Sequence, residues 1–159
     1  GELLEAGREF GIRPFGVEAQ RLLRLEKRQI IVGVDTDALS TPYEADMGWA
    51  VKLDKQDFTG KAALAKFASV PPRERLVGFA LPGTNVPEDG CAVVVGKLAG
   101  RVTSSRYSPV KQMAIGLAWV RPEKAREGAS IGIRQSGRLV PASVTLRPFY
   151  DPEGTRLRT

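Results

Sequence analysis

The second half of the chain alternates short apolar runs with turn-forming glycines and prolines, and this pattern constrains the fold more than any other feature of the sequence. Runs of four to eight residues that are rich in β-branched and aromatic side chains and bounded by turn residues are typical of β-strands. Six such strands with polar turns between them predict a small antiparallel barrel. The six runs lie at residues 76–81, 92–95, 100–104, 114–120, 130–134 and 139–146.

The first half of the chain has the periodicity of helices instead. Apolar side chains recur there at helical spacing, with charged side chains between them. Thr59 is placed to serve as the N-cap of the last of these helices, and the β-branched run at 30–32 predicts a strand or an extended segment. The predicted helices cover residues 2–10, 16–27 and 61–67.

A pair of prolines marks the change between the two patterns. Pro71 and Pro72 follow a short polar stretch, and neither residue can continue a helix. We therefore divide the chain into a first region at residues 1–67, a linker at 68–72 and a barrel domain at 73–159. The predicted fold class is α+β, with helices first and a small antiparallel β-barrel after them.

The residue types that are missing exclude several kinds of site. The chain has no histidine and one cysteine, so it cannot supply a Ser-His-Asp triad or a structural zinc site. It has no glycine-rich phosphate loop, no dinucleotide fingerprint and no apolar run near the ~20 residues of a membrane span. We therefore expect neither a metal nor a membrane as a partner, and a cytoplasmic location.

Positive charge is concentrated in the second half. Residues 1–66 carry ten Lys and Arg against eleven Asp and Glu, whereas residues 67–159 carry fourteen against seven. The basic residues are scattered singly and lack the clustered, aromatic-interleaved pattern of a nucleic-acid groove. We therefore expect no nucleic-acid partner, although a polyanionic small molecule would suit this balance.

Residues 16–49 hold an ordered series of short motifs. They read Gly-x-x-Ala-x-x-x-Leu-Arg-Leu-Glu from residue 16, Gly-x-Asp-x-Asp from residue 33, Thr-Pro-x-Glu from residue 41 and Gly-Trp at residues 48 and 49. This order resembles the folate-dependent aminomethyltransferase family, which includes the glycine cleavage T-protein. The closer likeness is to the C-terminal, folate-binding region of sarcosine oxidase alpha subunits and related dimethylglycine-oxidising enzymes. The resemblance continues through residues 58–64, 102–104, 108–109 and 148–151.

The resemblance implies a fold, a cofactor and a function. The fold would be the tail of a helix-and-sheet folate-binding domain followed by a compact C-terminal β-barrel. The cofactor would be tetrahydrofolate, which receives a one-carbon unit from an amine. Family members carry acidic catalytic and pterin-binding residues upstream, so we expect this chain to be a C-terminal portion that works with a missing N-terminal portion or a partner subunit. We expect no catalytic residue within it and no turnover alone; the alternative is a non-catalytic folate-domain relative that serves as a structural or docking module.

Three residues are candidates for folate binding through the resemblance. In the T-protein pattern an arginine followed by an aspartate occupies the positions that here hold Gln20 and Arg21, and that arginine binds folate. An amide cannot replace the bidentate guanidinium, and Arg21 points about 100° away from residue 20 on a helix. The oxidase branch matches this Gln-Arg pair better. Tyr150 lies near the place where the family has a folate-contacting tyrosine in its tail.

The other polar motifs have structural interpretations. Arg24 and Glu26 are expected to anchor the second helix to neighbouring loops, since their side chains point to different helix faces. Asp35 is expected to cap amides in a turn, and Glu44 to form a capping box with Thr41. Among the aromatic residues we expect a core position for Phe79, Trp119, Phe149 and Trp49.

Overall fold

Six antiparallel strands close into a barrel in the computed structural model, which describes residues 1–158. Around the barrel the strands follow the order β1-β4-β3-β2-β5-β6, and every pair is antiparallel. The predicted barrel is thereby confirmed, with all six strands close to their expected places. Their bounds are Arg75–Pro82 (β1), Ala92–Val95 (β2), Lys97–Ser108 (β3), Met113–Val120 (β4), Ser130–Gln135 (β5) and Arg138–Thr145 (β6).

The barrel interior is filled by aliphatic side chains around one aromatic ring. Phe79 is fully buried at its centre, and Gly116 on β4 makes room for that ring. A Cβ atom at residue 116 would lie 2.6 Å from the Phe79 ring, closer than real Cβ contacts come. Every second residue of the strands faces inward, as expected for a closed small barrel. The buried core also contains Val77, Leu81, Val93, Val102, Ala118, Val120, Ile131, Ile133 and Val144.

Three short α-helices precede the barrel. They are Glu2–Ala6 (α1), Val17–Glu26 (α2) and Lys61–Ala68 (α3), and a 3-10 turn at Arg8–Phe10 follows α1. One local prediction was wrong, and of the two alternatives for residues 30–32 the strand is excluded. The N-cap of α3 is Gly60, at φ 93° and without a side-chain cap, so Thr59 does not cap the helix. Residues 30–32 form no strand, because Val32 makes only an isolated bridge to Thr36 within its own turn.

A second apolar cluster lies on the outside of the barrel. Leu25 from α2 and Ala45 pack there against Leu76, Ile115, Leu117 and Trp119 from the strands. This contact places α2 across β3 and β4, and it is the main apolar contact of the first region. The division of the chain at residues 68–72 remains a prediction.

The aromatic predictions were confirmed except in one case. Phe79 and Trp119 are buried, and Phe149 packs partly buried against the outer cluster. Trp49 is 71% exposed, so its predicted core position was wrong. It lies in the 3-10 turn Gly48–Ala50, in which no residue is buried. Across residues 1–158, no helix has the length and apolar character that crossing a bilayer requires.

Candidate functional site

Two of the three predicted site residues lie on the solvent side of α2. Gln20 is exposed, and Arg21 is half-exposed and forms an ion pair with Glu18 at 2.6 Å. The Glu18 carboxylate also accepts a hydrogen bond from Arg106 Nε on β3 at 3.0 Å. The hydrogen bonds from Arg106 and Arg21 hold the pKa of Glu18 below its ordinary value. This end of α2 therefore presents two arginines that share one carboxylate.

Tyr150 lies at the other end of the same helix. Its backbone N–H donates to the Glu26 carbonyl at 3.0 Å, and the Arg156 guanidinium lies 5.4 Å from its ring centre. Residues 20 and 26 are six positions apart, so about 9 Å of helix separates the two places. The structure brings Tyr150 to α2, but it does not gather the three predicted residues into one site.

Asp35 joins α2 to the barrel through a buried ion pair. Its carboxylate accepts from Arg24 at 2.5 Å, from the Thr103 hydroxyl at 2.6 Å and from the Ser104 hydroxyl at 2.5 Å. Its backbone carbonyl accepts from the indole N–H of Trp119 at 2.9 Å. A buried carboxylate with these three side-chain donors is a fixed point in the structure, because breaking the pair would leave a charge without a partner.

The anchoring role expected of the Leu-Arg-Leu-Glu run is confirmed. Arg24 reaches Asp35, and the buried Glu26 carboxylate accepts from the Ser108 hydroxyl at 2.7 Å. The local capping expected of Asp35 is also present, since it accepts the Ile31 N–H at 2.8 Å. Capping is the smaller part of its role. Its bonds to β3 were missed, since residues so distant in sequence give no local signal of contact.

The segment that follows is held by a capping box. The Glu44 carboxylate accepts the N–H of Thr41 at 3.1 Å, and the Thr41 hydroxyl accepts the N–H of Glu44 at 3.2 Å, as predicted. The N–H of Arg73 donates to the same carboxylate at 3.1 Å. Burial raises the pKa of Glu44, but the hydrogen bonds from the Thr41 and Arg73 amides outweigh burial and leave that pKa below its ordinary value.

Beyond this segment lies a cleft of about 550 Å³, which we name the Trp49 cleft. Its wall carries the exposed indole of Trp49, and charged side chains stand at its rim. Seven of its eleven lining residues are apolar and the other four carry a charge or an amide, and a cleft of this size can hold a small molecule. The lining residues are Lys27, Arg28, Gln29, Ile30, Ala45, Asp46, Met47, Trp49, Leu76, Leu117 and Pro148.

A second, larger cleft of about 1080 Å³ lies on the other side of the same segment. Arg101 stands in it, 3.3 Å from Glu74, 3.7 Å from Asp37 and 5.8 Å from the ring centre of Trp119. These charges already neutralise one another. The Trp49 cleft also contains an ion pair, between Arg28 and Asp46, but its lining includes an exposed aromatic side chain, and the residues that line the larger cleft do not, so the larger cleft is the weaker candidate.

None of the three predicted site residues lines either cleft. Gln20, Arg21 and Tyr150 therefore remain predictions, and the Trp49 cleft is the feature that sequence reasoning missed. One signal could have indicated it. Trp49 follows Gly48 in a stretch without apolar periodicity, so no helix or strand pattern places its side chain in a core. Within residues 1–158 no group of three or more His, Cys, Asp or Glu side chains could hold a metal.

Comparison with known proteins gives a consistent family. Residues 74–151 match the sequence model of the glycine cleavage T-protein C-terminal barrel domain, and residues 1–55 match that of the GCVT N-terminal domain. The crystal structure of glycine cleavage system aminomethyltransferase T from Bartonella henselae is similar, with a TM-score of 0.79 and 27% identity. The similarity covers 86% of this chain and 39% of that one.

Curated relatives with the name aminomethyltransferase are also similar. The protein from Synechococcus sp. (strain WH7803) is 42% identical over 142 residues, which are 88% of this chain and 38% of the relative. The protein from Halothermothrix orenii is 40% identical over 148 residues, 92% of this chain and 42% of the relative. The chain thus spans about two fifths of the length of the relatives that it matches.

Proposed function

Because the chain belongs to the glycine cleavage T-protein family, we propose that it is the C-terminal portion of a tetrahydrofolate-binding aminomethyltransferase. When bound, tetrahydrofolate accepts a one-carbon unit that an amine substrate supplies. The observation that carries the proposal is the Trp49 cleft, which is lined by residues of the first region and by residues on the outer face of the barrel. The activity, the amine and the remaining partners of the whole protein are parts of this proposal.

The residues of the Trp49 cleft suit a folate. The pterin is planar and heteroaromatic, and an exposed indole offers it an aromatic face at low conformational cost. The half-buried Ile30 and Met47 supply apolar contact, while the exposed Gln29 supplies an amide for the edge of a ring.

The role of this chain would be to bind and orient the folate, and not to perform the chemistry. It has no histidine, and its buried carboxylates at Glu26, Asp35 and Glu44 are each bound to structural partners. We infer that the acid–base groups come from a missing N-terminal portion or a partner subunit. That portion would also close the cleft and exclude water from it.

Two finer assignments belong to the proposal. The Gln20–Arg21 pair favours the sarcosine oxidase alpha branch, in which the whole enzyme would be an oxidoreductase with its flavin elsewhere. We also propose a cytoplasmic location. The alternative of a non-catalytic docking module is not favoured, since no relative reported above is named as one.

Tetrahydrofolate binding tests the proposal. We define the extended protein as this chain preceded by the upstream portion that family members have. A ligand at about 100 times its dissociation constant stabilises the folded state by roughly 2.7 kcal/mol, a clear shift in melting temperature. We expect that shift in the extended protein, little shift in residues 1–159 alone, and no turnover of an amine by the latter.

Trp49→Ala and Phe67→Ala form a matched pair of variants for this test. Both remove an exposed aromatic side chain, but Phe67 lies on α3 and outside the Trp49 cleft. Trp49→Ala should reduce the shift in the extended protein and Phe67→Ala should not. An unchanged shift in Trp49→Ala would place the folate elsewhere.

A further inference from the structure

Two residues that form an ion pair at the Trp49 cleft have unusual backbone conformations. Arg28 and Asp46 both have left-handed backbone conformations, at φ 55° and φ 60°, and their side chains meet at 2.5 Å. Such conformations are uncommon outside glycine and persist only where the surrounding structure imposes them. Here two of them face each other across a single ion pair at the edge of one cleft.

Arg28 connects three parts of the molecule. It follows the end of α2, its guanidinium donates to the carbonyl of Leu146 after β6, and it donates to the Asp46 carboxylate. Its side chain is only 11% exposed. The Asp46 carboxylate also lies 3.5 Å from a second guanidinium, that of Arg75 on β1. Because the Arg28 guanidinium donates to a backbone carbonyl and to a carboxylate at once, its orientation is fixed by both acceptors.

Asp46 marks the point where the chain leaves the barrel. Just before it, the Glu44 carbonyl accepts the Leu76 N–H of β1 at 2.8 Å, and Ala45 is buried. Just after it comes the 3-10 turn that carries Trp49. Backbone hydrogen bonds flank Asp46 on both sides, from the Ala45 N–H to the Thr41 carbonyl at 3.0 Å and from the Met47 N–H to the Pro42 carbonyl at 2.8 Å.

We propose that Arg28 and Asp46 are positioning residues that fix the Trp49 turn at the mouth of the cleft. Asp46 sets the direction in which the chain leaves the barrel, and Arg28 holds that carboxylate against the ends of α2 and β6. The indole is thereby presented toward the cleft although Trp49 is 71% exposed. The ligand of the cleft rests on the proposed function, whereas the placement of Trp49 can be tested without any ligand.

The two tryptophans allow a local test in the 159-residue chain. Labelling with 5-fluorotryptophan gives two ¹⁹F resonances, one from exposed Trp49 and one from Trp119, which is 2% exposed. Trp49→Phe assigns them. Asp46→Asn keeps the shape and tolerance of a left-handed backbone but removes the charge. Arg28→Gly removes the guanidinium and relaxes the backbone.

Both variants should move or broaden the Trp49 resonance and change its accessibility to acrylamide, while the Trp119 resonance stays in place. The control is Ser136→Gly, which relaxes a left-handed residue at φ 47° in the turn between β5 and β6, away from the cleft. It should leave both resonances unchanged. The proposal is overturned if Trp49 keeps its wild-type resonance in both variants, or if Trp119 moves as much as Trp49.

A second measurement separates this proposal from the proposed function. In the extended protein, Asp46→Asn should weaken tetrahydrofolate binding by about two- to tenfold, and by no more than Trp49→Ala does, because misplacing the indole removes at most its own aromatic contact with the ligand. If Trp49→Ala leaves folate binding unchanged, the proposed site fails while the ¹⁹F result still stands. If the Trp49 resonance is unchanged in Asp46→Asn and in Arg28→Gly, the positioning role of these two residues is rejected even when folate binds in the cleft.

Discussion

The first seventy residues and the barrel bury their apolar side chains to very different extents. Of the large hydrophobic side chains that are exposed in the described part of the chain, fourteen lie in residues 1–70 and three in the rest. The first region contributes two buried apolar residues, Leu25 and Ala45. The barrel instead closes on a continuous core, so it supplies its own hydrophobic stabilisation and the first region does not.

Polar contacts attach the first region in place of a core. Its three other buried residues are the carboxylates Glu26, Asp35 and Glu44, and each binds a residue beyond position 70. Such contacts fix a position but add little net stability, because burying a charge costs almost as much as its pairing returns. Exposed apolar surface on this scale is typical of a face that meets another part of a protein. The comparison therefore supports the proposal that a further portion covers residues 1–70.

Substituting one phenylalanine in each region should give the largest difference in the free energy of unfolding. Phe79→Ala should destabilise the chain by about 3 to 5 kcal/mol, because it empties the centre of the barrel. Phe15→Ala should change the free energy of unfolding by less than about 0.5 kcal/mol, since its ring is exposed in residues 1–159. Urea denaturation followed by circular dichroism measures both. Equal losses of stability in the two variants would show that the two regions do not differ in how much their apolar side chains stabilise the chain.

Asp35→Ala tests the attachment itself. The change leaves Arg24, whose side chain is 10% exposed, without its carboxylate, and we expect a loss of about 3 to 5 kcal/mol in the stability of that contact. The control is Asp37→Ala, which removes an exposed carboxylate two residues away. Hydrogen exchange should show α2 losing protection while the barrel strands keep theirs. Loss of protection throughout the barrel would mean that the two regions form one cooperative unit.

The barrel could be predicted from sequence because its signals are local. Glycine and proline turns separate runs of strand length, and each strand pairs with its neighbours over most of its residues. Local signals failed where tertiary contacts decide. Residues 30–32 have a β-branched composition but no partner strand. The cap position of α3 has a left-handed backbone, which glycine adopts without strain, so the helix is capped by Gly60 and not by Thr59.

The candidate site was less predictable than the fold for the same reason. Gln20 and Arg21 were chosen by their place in a motif, whereas the Trp49 cleft forms where residues distant in sequence meet. Leu76 and Leu117 contribute to it from separate strands, and Arg28 depends on Leu146 for its geometry. A large aromatic residue is usually buried, so the sequence alone favoured a core position for Trp49.

Glu44→Gln should have a smaller, pH-dependent effect. The pKa of Glu44 is below its ordinary value of 4.5, so its charged form is bound more favourably in the folded chain. That stability is present above pH 4.5 and is lost as the pH falls through the lower, folded pKa. At pH 7 the variant should lose about 1 kcal/mol, as for other helix and turn caps. At pH 3 the difference from wild type should shrink, and a constant difference would mean that the charge contributes nothing.

Arg21→Ala should have the smallest effect on stability. The Arg21–Glu18 pair is exposed and screened by water, so the substitution should barely change urea denaturation of the 159-residue chain. Ligand binding gives the sharper measurement. If Arg21 replaces the anion-binding arginine that is absent at Gln20, Arg21→Ala in the extended protein should weaken tetrahydrofolate binding roughly two- to fivefold. High salt should reduce that loss, because the charge is screened.

Gln20→Arg in the extended protein should strengthen tetrahydrofolate binding, if the new arginine takes the place of the folate-binding arginine of the T-protein pattern. A loss of the same size in Arg8→Ala, which breaks another exposed pair on the first region, would show that Arg21 acts only through the net charge of that surface.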